Sequence, residues 1–370
     1  MRGRPFSRRR ALAGFGSLAA AAPQSPAQQS LAQGAPSLAG EPAGHAAPAG
    51  ELVNSFEFEA AAERTLARTP YAAIAGSHRQ GFDRITFRPR LMVNTMDLNL
   101  DTELFGDTMF APILVGPASH QKRFHPEGEL AMARGASSAK AAMVIADRSD
   151  FPVGEIAEQG ETPVWFQVYP EPDAGPLLAR IRQAVEAGCR AVCLTVGTPY
   201  QPTGAKGYPR LSRLAVMGHP ALDWAYIDRI RREITVPLLL KGIMDPGEAQ
   251  MAIERGVEGI IVSNHGGRFV PGLAEPITVL PAIADAVGAR VPILIDGGFR
   301  RGSDILKALA LGATAVLVGR PALWGLAAYG ALGVQRVLEL LQTELASDMT
   351  MCGTVNMGAI TRDFVKIHRR

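Results

Sequence analysis

The strongest constraint on the fold is an apolar run that recurs along the chain from residue 111. Each run is short and apolar with β-branched residues, and a longer stretch of helical periodicity follows it. Buried parallel strands joined by helices have this pattern. The runs read APILVGPA, AAMVIAD, PVWFQVY, RAVCLTV, VPLLLKG, GIIVSNH, VPILIDG and AVLVGRP. Eight such units within about 250 residues are the number and size of a (β/α)8 TIM barrel.

An open, doubly wound sheet would also alternate strands and helices. Such a sheet rarely has eight even repeats, and it usually carries a glycine-rich fingerprint after its first strand, where this chain reads GPASHQ. We therefore predict an α/β fold, a TIM barrel with an N-terminal helical extension.

The first ten residues, MRGRPFSRRR, hold five arginines and no acid. Ser7-Arg8-Arg9, the weakly apolar ALAGFGSLAAAA and a small-residue site at Ser25-Pro26-Ala27 resemble a twin-arginine export signal; a disordered basic tail is the alternative. The apolar run is shorter than the roughly 20 residues that span a bilayer. We predict an export signal over 1–27, a disordered linker over 28–51, a folded domain over 52–370 and a periplasmic location.

Composition excludes several classes of protein. The net charge is only +3 and much of the excess lies in the first ten residues, so a basic surface for nucleic acid is not indicated. The chain has three cysteines, Cys189, Cys193 and Cys352. Their odd number and the lack of CxxC spacing argue against a disulfide framework and against a zinc site. We predict three buried thiols and no metal.

In a TIM barrel the chemistry lies at the C-terminal ends of the strands. His265 ends the sixth run and is a candidate general base, with a structural histidine as the alternative. Arg268 follows on the next turn and is a candidate for binding a carboxylate through its planar guanidinium, with a surface arginine as the alternative. An ammonium in the barrel mouth, at Lys241, suits an anion formed during the reaction. Six runs end in or beside a functional group: Asp147, Tyr169, Thr195, Lys241, His265 and Asp296.

The seventh and eighth runs end in IDGGFRRG and LVGRP, with paired glycines, Arg300 and Arg320. The loops in these two places commonly bind phosphate in TIM barrels. Tight turns with exposed arginines are the alternative. We predict a phosphorylated ligand.

These residues, with FRPRLM, HPEGELAMARGAS, WFQVY, LLLKG and DGGFRRGSDILKALALGA, resemble the FMN-dependent α-hydroxy acid oxidase and dehydrogenase family, which includes glycolate oxidase and lactate oxidase. The resemblance runs from about Leu52 to the C-terminus. It implies oxidation of a 2-hydroxy acid to the 2-oxo acid: His265 takes a proton while two electrons reach flavin N5, Arg268 holds the carboxylate, and Tyr169 bonds the hydroxyl or carboxylate. It also implies O2, a quinone or a cytochrome as electron acceptor, and a homo-tetramer.

The same resemblance assigns the FMN contacts. The backbone near Pro117 and Ala118 would pass the reactive edge of the flavin. The ring contacts would be Gln167, Thr195, Lys241 and Ser263, and the remaining cofactor residues Asp296, Gly298, Arg300, Gly319 and Arg320, most of them around the phosphate.

The chain departs from the family pattern mainly around the substrate. LTVGTP places Gly197 where the family has an aspartate beside the base, and Gly204 falls where a second arginine is expected. The N-terminal tyrosine of the family falls at Ala73 or Ile74, and Ser119 replaces a smaller residue. Two other functions therefore stay open: an FMN-binding barrel with weak or lost turnover that acts in binding or electron transfer, and a different FMN-barrel reaction such as diphosphate isomerisation.

Overall fold

The computed structural model describes residues 47–76, 79–197, 223–267 and 272–368. The predicted export signal, Gly204 and Arg268 lie outside these ranges. Residues Pro48–Arg370 form one compact unit, which begins with a 3-10 turn at Ala49–Glu51 near the end of the predicted linker.

Eight parallel strands close into a barrel, which confirms the predicted fold. Each strand coincides with one of the eight apolar runs. The strands are β4 (Ile113–Val115), β5 (Ala142–Ala146), β6 (Val164–Val168), β7 (Val192–Thr195), β8 (Leu238–Ile243), β9 (Gly259–Val262), β10 (Ile293–Asp296) and β11 (Ala315–Val318). Every pair of neighbours around the barrel is hydrogen-bonded in parallel register, in the order β10-β11-β4-β5-β6-β7-β8-β9.

A hairpin closes the N-terminal end of the barrel. It pairs β2 (Thr102–Leu104) with β3 (Asp107–Met109), and its two-residue turn has positive φ at both Phe105 and Gly106, as a type I′ turn requires. The Phe105 ring meets the buried Trp165 ring edge-on, with centroids 5.5 Å apart. This apolar packing covers the N-terminal ends of the strands, opposite the C-terminal ends where TIM barrels bind their ligands.

Helices cover the outside of the barrel. They are α4 (Gly128–Ser138), α5 (Val153–Ala157), α6 (Ala174–Glu186), α7 (Trp224–Glu233), α8 (Pro246–Glu254), α9 (Pro276–Val287), α10 (Gly302–Ala310) and α11 (Arg320–Cys352), the last interrupted at Gly330. Within the described residues, no helix is both long and apolar enough to cross a membrane. The three cysteines are buried thiols, as predicted.

The predicted N-terminal helical extension is also present. It consists of α1 (Ser55–Thr65), α2 (Arg68–Ile74) and α3 (Gln80–Asp83), followed by β1 (Ile85–Phe87), which pairs antiparallel with β12 (Val365–Ile367) near the C-terminus. The extension is bonded to the barrel where β10 and β11 end: the Trp324 indole donates to the Ile74 carbonyl at 3.0 Å, and the Ser55 hydroxyl donates to the Arg300 carbonyl at 2.6 Å.

Candidate active site

A cavity of about 670 Å³ opens at the C-terminal ends of the strands. This volume lies in the range of small-molecule and cofactor sites. The predicted residues that line it are Pro117, Ala118, Gln167, Tyr169, Thr195, Lys241, His265, Asp296, Gly298, Arg300, Gly319 and Arg320. Twelve of the predicted site residues, drawn from seven strand ends, are thus brought together in one place.

Lys241 at the centre of the cavity is held by two neighbours. Its ammonium donates to the Ser263 hydroxyl at 2.9 Å and forms an ion pair with the Asp296 carboxylate. Ser263 is fully buried and its hydroxyl also accepts from the His265 backbone N–H at 3.2 Å. Ser263 does not line the cavity, so its direct contact with the flavin ring stays a prediction.

Two polar side chains lie next to each other at the C-terminal ends of β6 and β7. The buried Gln167 amide donates to the Thr195 hydroxyl at 2.8 Å and to the Val168 carbonyl at 3.0 Å. Both Gln167 and Thr195 line the cavity, where their remaining hydrogen-bonding capacity can face a heterocyclic ring.

His265 occupies an unusual backbone position directly after β9. Its φ is +54°, a left-handed conformation that is uncommon for residues other than glycine. Desolvation by burial, and then the charge of Lys241, lower the pKa of His265 to about 4, while Asp296 and a hydrogen bond to the Val196 backbone oppose the shift. The imidazole is therefore neutral at pH 7 and able to accept a proton.

Two glycines make room for that imidazole. A Cβ on Gly242 would lie 2.2 Å from the Val196 carbonyl oxygen and 3.0 Å from His265 Nε2, so only glycine fits there. At Gly197 the space is larger: a Cβ would lie 3.6 Å from the same ring nitrogen, an ordinary contact distance. A side chain at position 197 would thus stand beside the imidazole, as the family's aspartate is expected to.

The two arginines predicted for phosphate converge on one carbonyl of the N-terminal extension. Arg320 donates to the Gly76 oxygen at 2.6 Å and Arg300 to the same oxygen at 3.2 Å. Burial, and next the nearby charge of Arg320, lower the pKa of Arg300 to about 9. Two clustered cations with so little solvent around Arg300 favour a bound anion.

The donor set fits FMN. Within the described part of the chain, Arg300 Nε and Asp296 Oδ1 are buried polar atoms that lack a hydrogen-bond partner. A guanidinium donor in a cavity lined by Gly298 and Gly319 suits a phosphate, and a buried carboxylate oxygen suits a ribityl hydroxyl. The positive φ of Gly298, +86°, lets the backbone approach such a ligand closely.

Asp147 does not belong to the site, although it follows β5 at a strand end. Its carboxylate accepts from Arg180 of α6 at 2.8 Å and 3.3 Å, and Arg180 also bonds Glu171. It is therefore not available as a carboxylate partner for His265. The carboxylate whose charge acts on His265 is instead that of Asp296.

Sequence reasoning missed a polar group on the β4 and β5 side of the cavity. The lining residues there include His120, Arg123, Arg148 and Asp150. Asn264 was also missed; its side chain donates to the Ala274 carbonyl and accepts from the Gly267 N–H. The sequence signal that could have identified Arg148 is its position, because this residue directly follows the second apolar run.

Comparison with known proteins decides the family. A sequence model described as FMN-dependent dehydrogenase matches residues 72–210 and 201–367. The chain belongs to the family of FMN-dependent α-hydroxy acid oxidases and dehydrogenases. It is an oxidoreductase of that family and its cofactor is FMN, as predicted.

Individual relatives are similar over nearly their whole length. An L-lactate oxidase from Nostoc sp. is 37% identical over 358 residues, which cover 85% of this chain and 98% of the relative. A 4-hydroxymandelate oxidase from Amycolatopsis orientalis is 36% identical over 314 residues, 77% of this chain and 88% of the relative. A crystal structure of mandelate oxidase with (S)-2-phenylpropionate superposes with a TM-score of 0.79 at 35% identity, covering 86% of this chain and all of that one.

Proposed function

We propose that this protein oxidises a 2-hydroxy acid to the corresponding 2-oxo acid, with His265 as the general base. The observation that carries the proposal is a neutral, partly buried imidazole directly after β9, which lines the same cavity as the arginines that fit the FMN phosphate. The relatives named lactate, glycolate and hydroxymandelate oxidases support this class of substrate.

Each polar group then has a defined task. His265 accepts the substrate proton, because its low pKa keeps the imidazole deprotonated at neutral pH. Lys241, paired with Asp296, places a positive charge where negative charge develops. Tyr169 bonds the substrate hydroxyl or carboxylate, and Arg268, which lies outside the described residues, binds the carboxylate. FMN, when bound, supplies the two-electron acceptor.

The electron acceptor and the assembly belong to the same proposal. The relatives named oxidases support O2, with a quinone or a cytochrome as alternatives. Stopped-flow reoxidation of the reduced protein by each acceptor distinguishes them.

The homo-tetramer implied by the family resemblance is tested by light scattering of the FMN-loaded protein.

The function is tested by anaerobic reduction of bound FMN with a panel of 2-hydroxy acids. We expect His265→Ala to retain FMN and to lose at least about 10²-fold in the reduction rate, the lower range for removal of a general base. His368→Ala is the control. This exposed histidine lies near the C-terminus, and its ring is hydrogen-bonded to the Thr86 hydroxyl. If His265→Ala reduces FMN at the wild-type rate, the histidine is structural.

A second function is favoured by Gly197, because no side-chain carboxylate stands at that position beside the His265 ring. Without such a group to stabilise the imidazolium, proton transfer to His265 would be slower, and this would suit a barrel that binds FMN but turns over little. Stable FMN binding with no reduction by any 2-hydroxy acid would support that role in binding or electron transfer.

A further inference from the structure

Arg148 presents its guanidinium to the cavity from a fixed turn after β5. The Ala146 carbonyl accepts from both the backbone N–H of Ser149, at 3.1 Å, and its hydroxyl, at 2.7 Å. The Arg148 carbonyl accepts from the His120 N–H at 3.1 Å, which ties this turn to the loop after β4. The guanidinium carbon lies 5.2 Å from the centroid of the Tyr169 ring. Arg148 is therefore oriented by its surroundings.

The electrostatic character of this side of the cavity is positive. Arg123 also lines it, and its guanidinium is placed by bonds to the Ser119 and His120 carbonyls at 3.2 Å and 3.1 Å. The Asp150 carboxylate already accepts from the Lys122 N–H and contacts the His120 ring. Two arginines and one aspartate therefore line this side of the cavity.

The order of the strands shows which part of a substrate would meet Arg148. In the closed barrel, β5 and β9 are four strands apart in either direction, so their ends face each other across the mouth. His265 and Arg268 follow β9 and would bind the reacting carbon and its carboxylate. The substituent on that carbon, extending away from β9, would reach the side of Arg148.

We propose that Arg148 binds a second anionic group on the substrate, so that the preferred substrates are 2-hydroxy dicarboxylic acids. This inference rests on the proposed function. A terminal carboxylate would form a charge-assisted hydrogen bond with the guanidinium and stack beside Tyr169. A methyl or phenyl substituent would remove water from the charge without replacing its hydrogen bonds, which is unfavourable.

The test compares substrates that differ only in the terminal group. Malate, its 4-amide and lactate are used to reduce the bound FMN anaerobically, and the efficiency of reduction is measured for each. We expect malate to exceed the amide by about tenfold or more, the range for a hydrogen bond to a charged group. Arg148→Leu should abolish this preference and Arg148→Lys should restore part of it. Arg134→Leu, which removes an arginine of α4 bonded to Gln159, should leave the preference unchanged.

The two proposals fail in different ways. If lactate and the amide equal malate in the wild type, or if Arg148→Leu keeps the preference, the dicarboxylate inference is overturned while the oxidase function stands. If no 2-hydroxy acid reduces FMN, the oxidase function fails. The dicarboxylate inference is then decided by titrating the flavin absorption spectrum with oxaloacetate and pyruvate: binding of oxaloacetate that is tighter and depends on Arg148 supports it, and equal binding overturns it.

Discussion

At the residue scale, the candidate base His265 lacks the aspartate that the family pattern places beside it, because this chain has Gly197 at that position. The pKa of His265 falls to about 4 chiefly through burial and next through the charge of Lys241, and Gly197 supplies no carboxylate to oppose the shift. The unfolded histidine binds its proton near pH 6.5. This group therefore favours unfolding as the pH falls from 6.5 toward 4, because the unfolded chain then binds more protons than the native one.

We expect Gly197→Asp to raise the pKa of His265 and to speed FMN reduction by about tenfold or more. The backbone there has a φ of +72°, which aspartate and asparagine tolerate better than other side chains. The measurement is the pH profile of anaerobic FMN reduction, whose acidic limb should move to higher pH.

Gly197→Asn is the matched control, because asparagine has to adopt the same positive φ as aspartate but carries no charge. An equal gain in both variants would assign the effect to packing or hydrogen bonding. An unchanged profile in Gly197→Asp would contradict the view that the missing carboxylate limits the base.

Strand-end position predicted most of the site residues but not the direction of each side chain. Asp147 and Arg148 are consecutive, and only the structure shows that the acid bonds Arg180 of α6 while the arginine faces the cavity. Contacts of this kind join groups 33 residues apart, which local periodicity does not reveal.

At the scale of elements, the eight barrel strands were predictable because burial on both faces makes them continuous apolar runs. The hairpin of β2 and β3 and the pair of β1 and β12 have strands of three residues. These strands lie outside the eight apolar runs, and three residues are too few for an alternating pattern to be recognised. The break in α11 was not predicted either, since a single glycine within an apolar stretch has no such signature.

Gly330 turns α11 back on itself. Its φ and ψ are +60° and −140°, outside the helical region. Gly325 and Gly333 would be about 12 Å apart in a continuous helix, yet a Cβ on Gly333 would lie 2.1 Å from the Gly325 oxygen. The sharp reversal lets the later part of α11 pack on α1 and α4 while its first residue, Arg320, stays at the phosphate end of the cavity.

We expect Gly330→Ala to destabilise the protein by about 1–3 kcal/mol, the cost of a strained backbone position. The new Cβ would also approach His125 Nε2 to 3.0 Å. Urea unfolding of the FMN-loaded protein measures the change. Gly50→Ala is the control, since no atom lies within 4 Å of a Cβ there. Equal urea midpoints for the two variants would contradict the assigned strain.

At the scale of the whole molecule, the cofactor end is assembled from distant parts of the chain. The Gly76 carbonyl of the N-terminal extension accepts from two arginines 224 and 244 residues away. Such a site forms only once the barrel and the extension have folded together. FMN should therefore be inserted into a folded protein, and a protein loaded with FMN in the cytoplasm would have to be exported in its folded state.

This requirement fits the proposal that residues 1–27 direct twin-arginine export to the periplasm. We expect replacement of Arg8 and Arg9 by lysine to retain FMN-loaded, yellow precursor inside the cell, because lysine keeps the charge but lacks the planar guanidinium. Fractionation followed by immunoblotting and flavin fluorescence measures both protein and cofactor. Replacing Arg2 and Arg4 by lysine changes the same basic segment outside the pair and should leave export intact. Equal periplasmic amounts from both variants would contradict the proposal and favour a basic tail, because the paired arginines would then have no specific role in transport.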